Sequence, residues 1–180
     1  MVHPWHDLPA GPRIPDQVTA VIEIPTGSRN KYELDKASGL FRLDRVLYSA
    51  VYYPGEYGLI PRTLSDDGDP LDILVTVQEP TFTGCQIESR PIGVLRMLDR
   101  GEPDEKILSV PWQDPRYDHY RDLSDFPEAY LKEIEHFFQI YKDLEGKRVE
   151  IIGWEPAAAA RSVIEQAVSQ YESKYLQVGP

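Results

Sequence analysis

The sequence is short of cysteine, of basic charge and of long apolar runs, and each shortage removes a class of protein. Its one cysteine, Cys85, cannot close an internal disulfide, so a disulfide-stapled scaffold is excluded and a reducing cytoplasm is expected. Lys and Arg number 19 against 30 Asp and Glu, for a net charge of −11. That balance argues against a general nucleic-acid surface. No apolar stretch approaches the ~20 residues of a transmembrane helix, so no membrane partner is expected. The opening MVHPWHDLPAGP has neither a basic nor an apolar signal region, and no secretory signal is expected. Internal repeats, low-complexity linkers and a phosphate-binding P-loop are all missing, as is an aromatic base-stacking platform distinct from the core. A chain of 180 residues, 41% hydrophobic, suits one domain over residues 1–180, with residues 1–16 as a Pro-rich extended arm.

What is present reads as short strands between turn signals, followed by two helical segments. TAVIEIP is apolar and β-branched. KYELD and LFRLDRVL flank Lys36-Ala37-Ser38-Gly39, which predicts a hairpin. Further strands are expected at Asp72–Val77, Pro91–Leu98, Lys106–Val110 and Arg148–Gly153. Tyr130, Ile134, Phe137, Phe138 and Tyr141 recur at helical spacing, and Asp125, Pro127 and Glu128 mark that helix's start. Ile164, Ala167, Val168, Tyr171 and Tyr175 outline a second helix. The expected class is mainly β (α+β), a small barrel or sandwich with two helices in the C-terminal half.

Charged residues sit where strand alternation calls for apolar ones. Arg45 shares a face with Phe41, Leu43 and Leu47. Asp104 and Lys106 share one with Leu108 and Val110, and Asp99 one with Leu95 and Met97. Lys31, Glu33 and Asp35 line one side of KYELD, opposite Tyr32 and Leu34. Buried charges need partners, so three such strands predict a charged cavity inside the fold.

SDDGDPLDILV, residues 65–75, crowds Asp66, Asp67, Asp69 and Asp72 onto the edge of an apolar strand. Like charges this close raise one another's pKa, so a cation is expected among them, with a solvated acidic turn as the plain alternative. Asp69 before Pro70 should be extended, letting Asp67 and Asp69 face one way. Asp72 can bend back, and Asp99 and Asp104 can close the group from a second hairpin. Oxygen ligands without His or Cys suit Mg²⁺ or Mn²⁺. An EF-hand loop fits poorly, because Gly68 is misplaced and no Glu stands twelfth. His119 and His136 lack metal-ligand spacing and are read as structural.

These residues also carry a resemblance. DGDPLD at Asp67–Asp72 resembles the signature of the soluble family I inorganic pyrophosphatases, bacterial type. VIEIPTGSRNKYELDKASGLFRLDR, YPGEYGLIP, the D-x₄-D-x-K of Asp99, Asp104 and Lys106, and HFFQIYKDLEGK are similar to that family in order and spacing. The resemblance implies an OB-like five-stranded closed barrel with flanking helices. It implies hydrolysis of pyrophosphate to two orthophosphates by a metal-activated water, with several Mg²⁺ per site, in a homohexamer. By position it implies metal ligands at Glu23, Asp67, Asp72, Asp99 and Asp104, and a general base at Asp69 or Asp104. Phosphate-holding groups are implied at Lys31, Glu33, Arg45, Tyr57, Lys106, Tyr141 and Lys142, with Tyr53 beside them. Arg100 departs from the acidic or polar residue expected after Asp99. A non-catalytic module binding phosphorylated ligands through cations, or an enzyme cleaving nucleoside triphosphates or polyphosphate, would use similar residues.

Overall fold

The β-branched run Val18–Ile24 forms strand β1, and all seven residues are buried because it has a partner on each side. In the computed structural model, which describes residues 2–176, the chain continues through β2 (Asn30–Leu34), β3 (Phe41–Val46), β4 (Glu56–Leu59) and β5 (Asp72–Val75). Then come β6 (Gln86–Asp99), β7 (Glu102–Pro111), helix α1 (Glu128–Ile140), β8 (Val149–Pro156) and helix α2 (Ala157–Tyr171). The hydrogen-bonded order β1-β4-β5-β7-β6 returns to β1, closing a ring of five strands, and β8 adds to the free side of β6. Only β5 and β7 run parallel. The expected mainly β fold, with five strands closed on themselves and two C-terminal helices, is therefore present.

Alternation along the ring strands sends side chains to two apolar clusters. Leu74, Leu95 and Leu108 pack with Phe137 and Phe138 of α1. Ile73, Val94 and Ile107 pack with Ala160 and Ile164 of α2. Each fully buried aliphatic side chain is worth about 1.5–3 kcal/mol relative to exposure, so the two helices hold the ring from two directions. Asp72, Asp99, Asp104 and Lys106 share parity with the first cluster and extend it at the strand ends.

Several expectations need correction. YPGEYGLIP holds a strand, β4, that a Gly- and Pro-flanked segment did not announce. Gly58 is required there, since a Cβ would lie 2.0 Å from the Val21 carbonyl oxygen across the β1–β4 pair. The hairpin β2–β3 forms as predicted but stands outside the ring as a two-stranded sheet. Its register slips between Lys31 and Tyr32, opposite Asp44. This bulge breaks the simple parity of LFRLDRVL, and Leu43, expected inside, is 54% exposed. Helix α1 begins after Pro127 without a side-chain cap; Asp125 instead closes a capping box with Asp122 around the 3₁₀ turn Leu123–Asp125. Tyr130 lies on the solvent side of α1 and Tyr175 falls just beyond α2. Residues 2–16 are turn-rich and packed rather than extended. Trp5 is buried and donates its indole N–H to the Thr63 carbonyl at 2.8 Å.

Candidate active site

Parallel pairing sets Asp72 directly beside Lys106, on β5 and β7, and Asp104 lies two residues earlier on the same face of β7. Lys106 Nζ accordingly bridges the two carboxylates, pairing with Asp72 and donating to Asp104 Oδ1 at 2.6 Å. Burial alone would lower the pKa of this lysine, but Asp72 and Asp104 raise it well above the ordinary value. The ammonium also lies 5.6 Å from the Tyr57 ring centroid and 5.9 Å from that of Phe138. It is a cation fixed at the floor of a cavity of about 570 Å³.

The acidic loop preceding β5 folds on itself. Gly68 N–H donates to the Ser65 carbonyl, Ser65 N–H donates to the Asp69 carbonyl, and Asp69 N–H donates to Asp67 Oδ1 at 2.9 Å. Asp67 and Asp69 are thereby aimed into the cavity with Asp72. Asp66 is turned away and accepts from Gln170 Nε2 of α2 at 3.0 Å. Of the four clustered acids, three remain in the site.

The other walls come from separate elements. Glu23 enters through the irregularity between Ile22 and Ile24 in the β1–β4 register and accepts the Leu34 N–H at 2.7 Å. Lys31 and Glu33 of β2 pair with each other. Tyr141 and Lys142 follow α1, and Lys142 Nζ donates to Asp99 Oδ2 at 2.6 Å. Every sequence-predicted site residue lines the cavity except Arg45, with Tyr53 buried behind it against Tyr57. Arg45 Nε donates to Glu145 Oε1 at 2.8 Å and its Nη1 pairs with Asp44, while Nη2 is buried without a hydrogen-bond partner. Burial works against its charge, yet these carboxylates raise its pKa.

Sequence reasoning missed Lys36, which lines the cavity and pairs with Asp69. The clue was the alternation Lys31, Glu33, Asp35, which runs straight into the hairpin turn where Lys36 sits. Arg42 and Arg100 also reach the cavity wall. A second groove, of about 550 Å³, holds Asp114 and Arg116, which neutralise each other.

Burial dominates the electrostatics. It pushes Glu23 up to about 8, with help from the neighbouring Asp72 charge. It also raises Asp67 and Asp104, and it lifts Tyr53, Tyr57 and Tyr141 well above the usual phenol range. Lys142 is lowered by burial despite Asp99. The phenols thus stay protonated donors at neutral pH.

Eight acidic and six basic side chains line the cavity. Among the described residues no three His, Cys, Asp or Glu side chains converge closely enough to grip a metal ion as they stand, because ammonium groups lie between the carboxylates. The donor set nevertheless fits a hard divalent cation. All the acids offer oxygen only, Asp99 Oδ1 is buried without a hydrogen-bond partner, and burial raises Asp67 and Asp104, whose charged forms a cation would favour.

Known proteins resemble this chain over most of its length. The inorganic pyrophosphatase family model matches residues 20–172. The chain is 51% identical to an inorganic pyrophosphatase of Haloferax volcanii over 176 residues, spanning 97% of this chain and 99% of that one. It is 55% identical to one of Geobacillus stearothermophilus over 157 residues, 87% and 95% of the two chains. The crystal structure of inorganic pyrophosphatase from Thermus thermophilus superposes with a TM-score of 0.91 at 43% identity, covering 96% of this chain and 99% of that chain. The chain belongs to the inorganic pyrophosphatase family.

Proposed function

We propose that the protein hydrolyses inorganic pyrophosphate to two orthophosphates in a Mg²⁺-dependent reaction. The observation that carries this reading is the pairing of charges in one cavity. Carboxylates Asp67, Asp72, Asp99 and Asp104 suit cations, and Lys31, Lys106 and Lys142 suit phosphate oxygens.

Mg²⁺ bound by those four carboxylates, with Glu23 at the outer edge and Mn²⁺ as a substitute, would acidify water and neutralise phosphoryl charge. Lys106 and Lys142, which here pair with Asp72, Asp104 and Asp99, are the ammonium groups that would turn to the substrate. Lys31, Lys106 and Lys142 then hold the anion as point charges, and Tyr57 and Tyr141 donate hydrogen bonds without adding charge. Glu33 orients Lys31. Arg45, held off the cavity wall by Glu145 and Asp44, would offer its unpartnered Nη2 to a phosphate oxygen only on leaving them, and Tyr53 lies buried against Tyr57.

Asp69 accepts the proton from the attacking water. Its side chain is 52% exposed and engaged only by Lys36, whereas Asp104 is tied to Lys106. Asp69 at the cavity wall would take that proton while Lys31, Lys106 and Lys142 fix the anion.

No helix of the described residues is long and apolar enough to cross a membrane, and the single cysteine suits a cytoplasmic setting. A homohexamer would cover Leu43, Val46, Tyr48 and Tyr52, which are exposed on or just beyond β3. The test is phosphate release from pyrophosphate, ATP and tripolyphosphate in Mg²⁺. Rapid release from pyrophosphate alone supports the reading. Preference for a longer anhydride makes the protein a polyphosphate or triphosphate hydrolase, and no release from any of them makes it a binding module.

A further inference from the structure

Two of the cations at the cavity have no part in the mechanism above. Arg42 of β3 and Arg100 beyond β6 both line it, yet their side chains are 64% and 69% exposed. Each makes only a loose, exposed ion pair. Arg42 Nη2 is 3.8 Å from Glu33 Oε2, and Arg100 Nε is 3.8 Å from Asp99 Oδ1. Lys36 differs from both, being held close to Asp69.

Arg100 also sits where an arginine is costly. It and Gly101 form the two-residue connection between β6 and β7, with Asp99 opposite Glu102. Their φ angles are +54° and +86°. Two successive positive φ values favour Asn, Asp or Gly at the first position, and a long side chain is disfavoured there. Strain held at the lip of a site points to a use for the side chain that causes it.

The protein nets −11, so at long range it repels a pyrophosphate anion, even one partly neutralised by a cation. Exposed positive groups at the mouth of a cleft reverse the local field and raise the rate of capture. We infer that Arg42 and Arg100 form an electrostatic rim that captures the substrate anion before it reaches Lys31, Lys106 and Lys142. The inference rests on the pyrophosphate reading. The rim acts on association and leaves the chemical step alone, because the carboxylate each guanidinium faces, Glu33 or Asp99, is held more closely by Lys31 or Lys142.

The test is the salt dependence of pyrophosphate hydrolysis in Arg42→Gln, Arg100→Asn and the double variant. Asn tolerates positive φ, so Arg100→Asn should keep or raise Tm, which separates the charge effect from folding. Expected is an unchanged kcat and a kcat/KM about three- to tenfold lower at ~10 mM ionic strength, with the gap closing near ~0.5 M as the Debye length shrinks. A kcat/KM equal to wild type at low salt, a deficit undiminished at high salt, or a lowered kcat overturns the rim. A wild type that releases no phosphate from pyrophosphate overturns the functional reading, and the rim falls with it.

Discussion

Two hairpins that supply charges to the cavity, β6–β7 and β2–β3, end in different environments. β6 and β7 are ring strands, each paired on both sides, so Asp99, Asp104 and Lys106 sit at the ends of rows of buried side chains. β2 and β3 pair only with each other, and β3 has exposed positions on both its faces. Alternation tells which residues share a face, but neighbours decide whether that face is buried. A lone two-stranded sheet is marginal in water, and this one is held by its contacts with the ring. The consequence is a division of labour, in which the ring carries groups whose charge is expensive and fixed, and the hairpin carries groups that are adjustable.

That division should show first in rate. Asp69→Asn is expected to lower kcat about 10²–10⁴-fold at saturating Mg²⁺ by removing the proton acceptor, measured by phosphate release. Asp67→Asn should instead weaken Mg²⁺ activation and recover at high metal. If Asp69→Asn is equally rescued, it is a ligand and the base lies on the ring, at Asp104.

The next effect is on stability. Lys106→Met leaves the partly buried Asp72 and Asp104 without their shared cation, and the expected cost is about 1–3 kcal/mol, below that of a fully buried pair. Urea unfolding of the metal-free protein reads this directly. A loss below about 1 kcal/mol would mean the ring's charges are well solvated and the contrast with the hairpin is false.

Glu23 joins the two regions, lying in β1 and accepting from Leu34 of β2, and its pKa stands at about 8 against an ordinary 4.5. A carboxyl whose folded pKa exceeds its unfolded value keeps its proton while the unfolded chain ionises. Stability is therefore intact below about pH 4.5 and falls progressively up to about pH 8. Glu23→Gln keeps an acceptor for Leu34 and removes the titration. Relative to wild type without metal, it should gain stability between pH 5 and pH 8, by up to a few kcal/mol. Parallel Tm curves across that range would place Glu23 in solvent.

The smallest effect belongs to the hairpin's outer face. Leu43→Thr should change unfolding free energy by no more than about 0.5 kcal/mol, as exposed sites do, while weakening any self-association seen by sedimentation. A large stability loss in the isolated protomer would show that Leu43 packs against its own chain.

Much of this was legible in the residues. The Asp67–Asp72 signature, the parity of Asp99, Asp104 and Lys106, and the strand–hairpin–helix order all depend on local spacing, which sequence states openly. What stayed hidden depends on tertiary partners. Asp66 leaves the cluster because Gln170 of α2 reaches it, 104 residues away. Arg45 lies off the cavity wall because Glu145, 100 residues on, holds its Nε. β4 was invisible because its Gly58 serves a close approach to β1, a reason that only the paired strands reveal. Lys36 was passed over as a turn residue, since nothing local says that Asp69 lies against the turn.

Removing and restoring Mg²⁺ decides whether Asp67, Asp72, Asp99 and Asp104 cradle that ion. Pyrophosphate hydrolysis should vanish in excess EDTA and return with Mg²⁺. Ca²⁺ should support little turnover even when bound, because its longer and looser coordination misplaces the water. Full activity in EDTA, with phosphate released at the rate seen in Mg²⁺, would contradict that cradle.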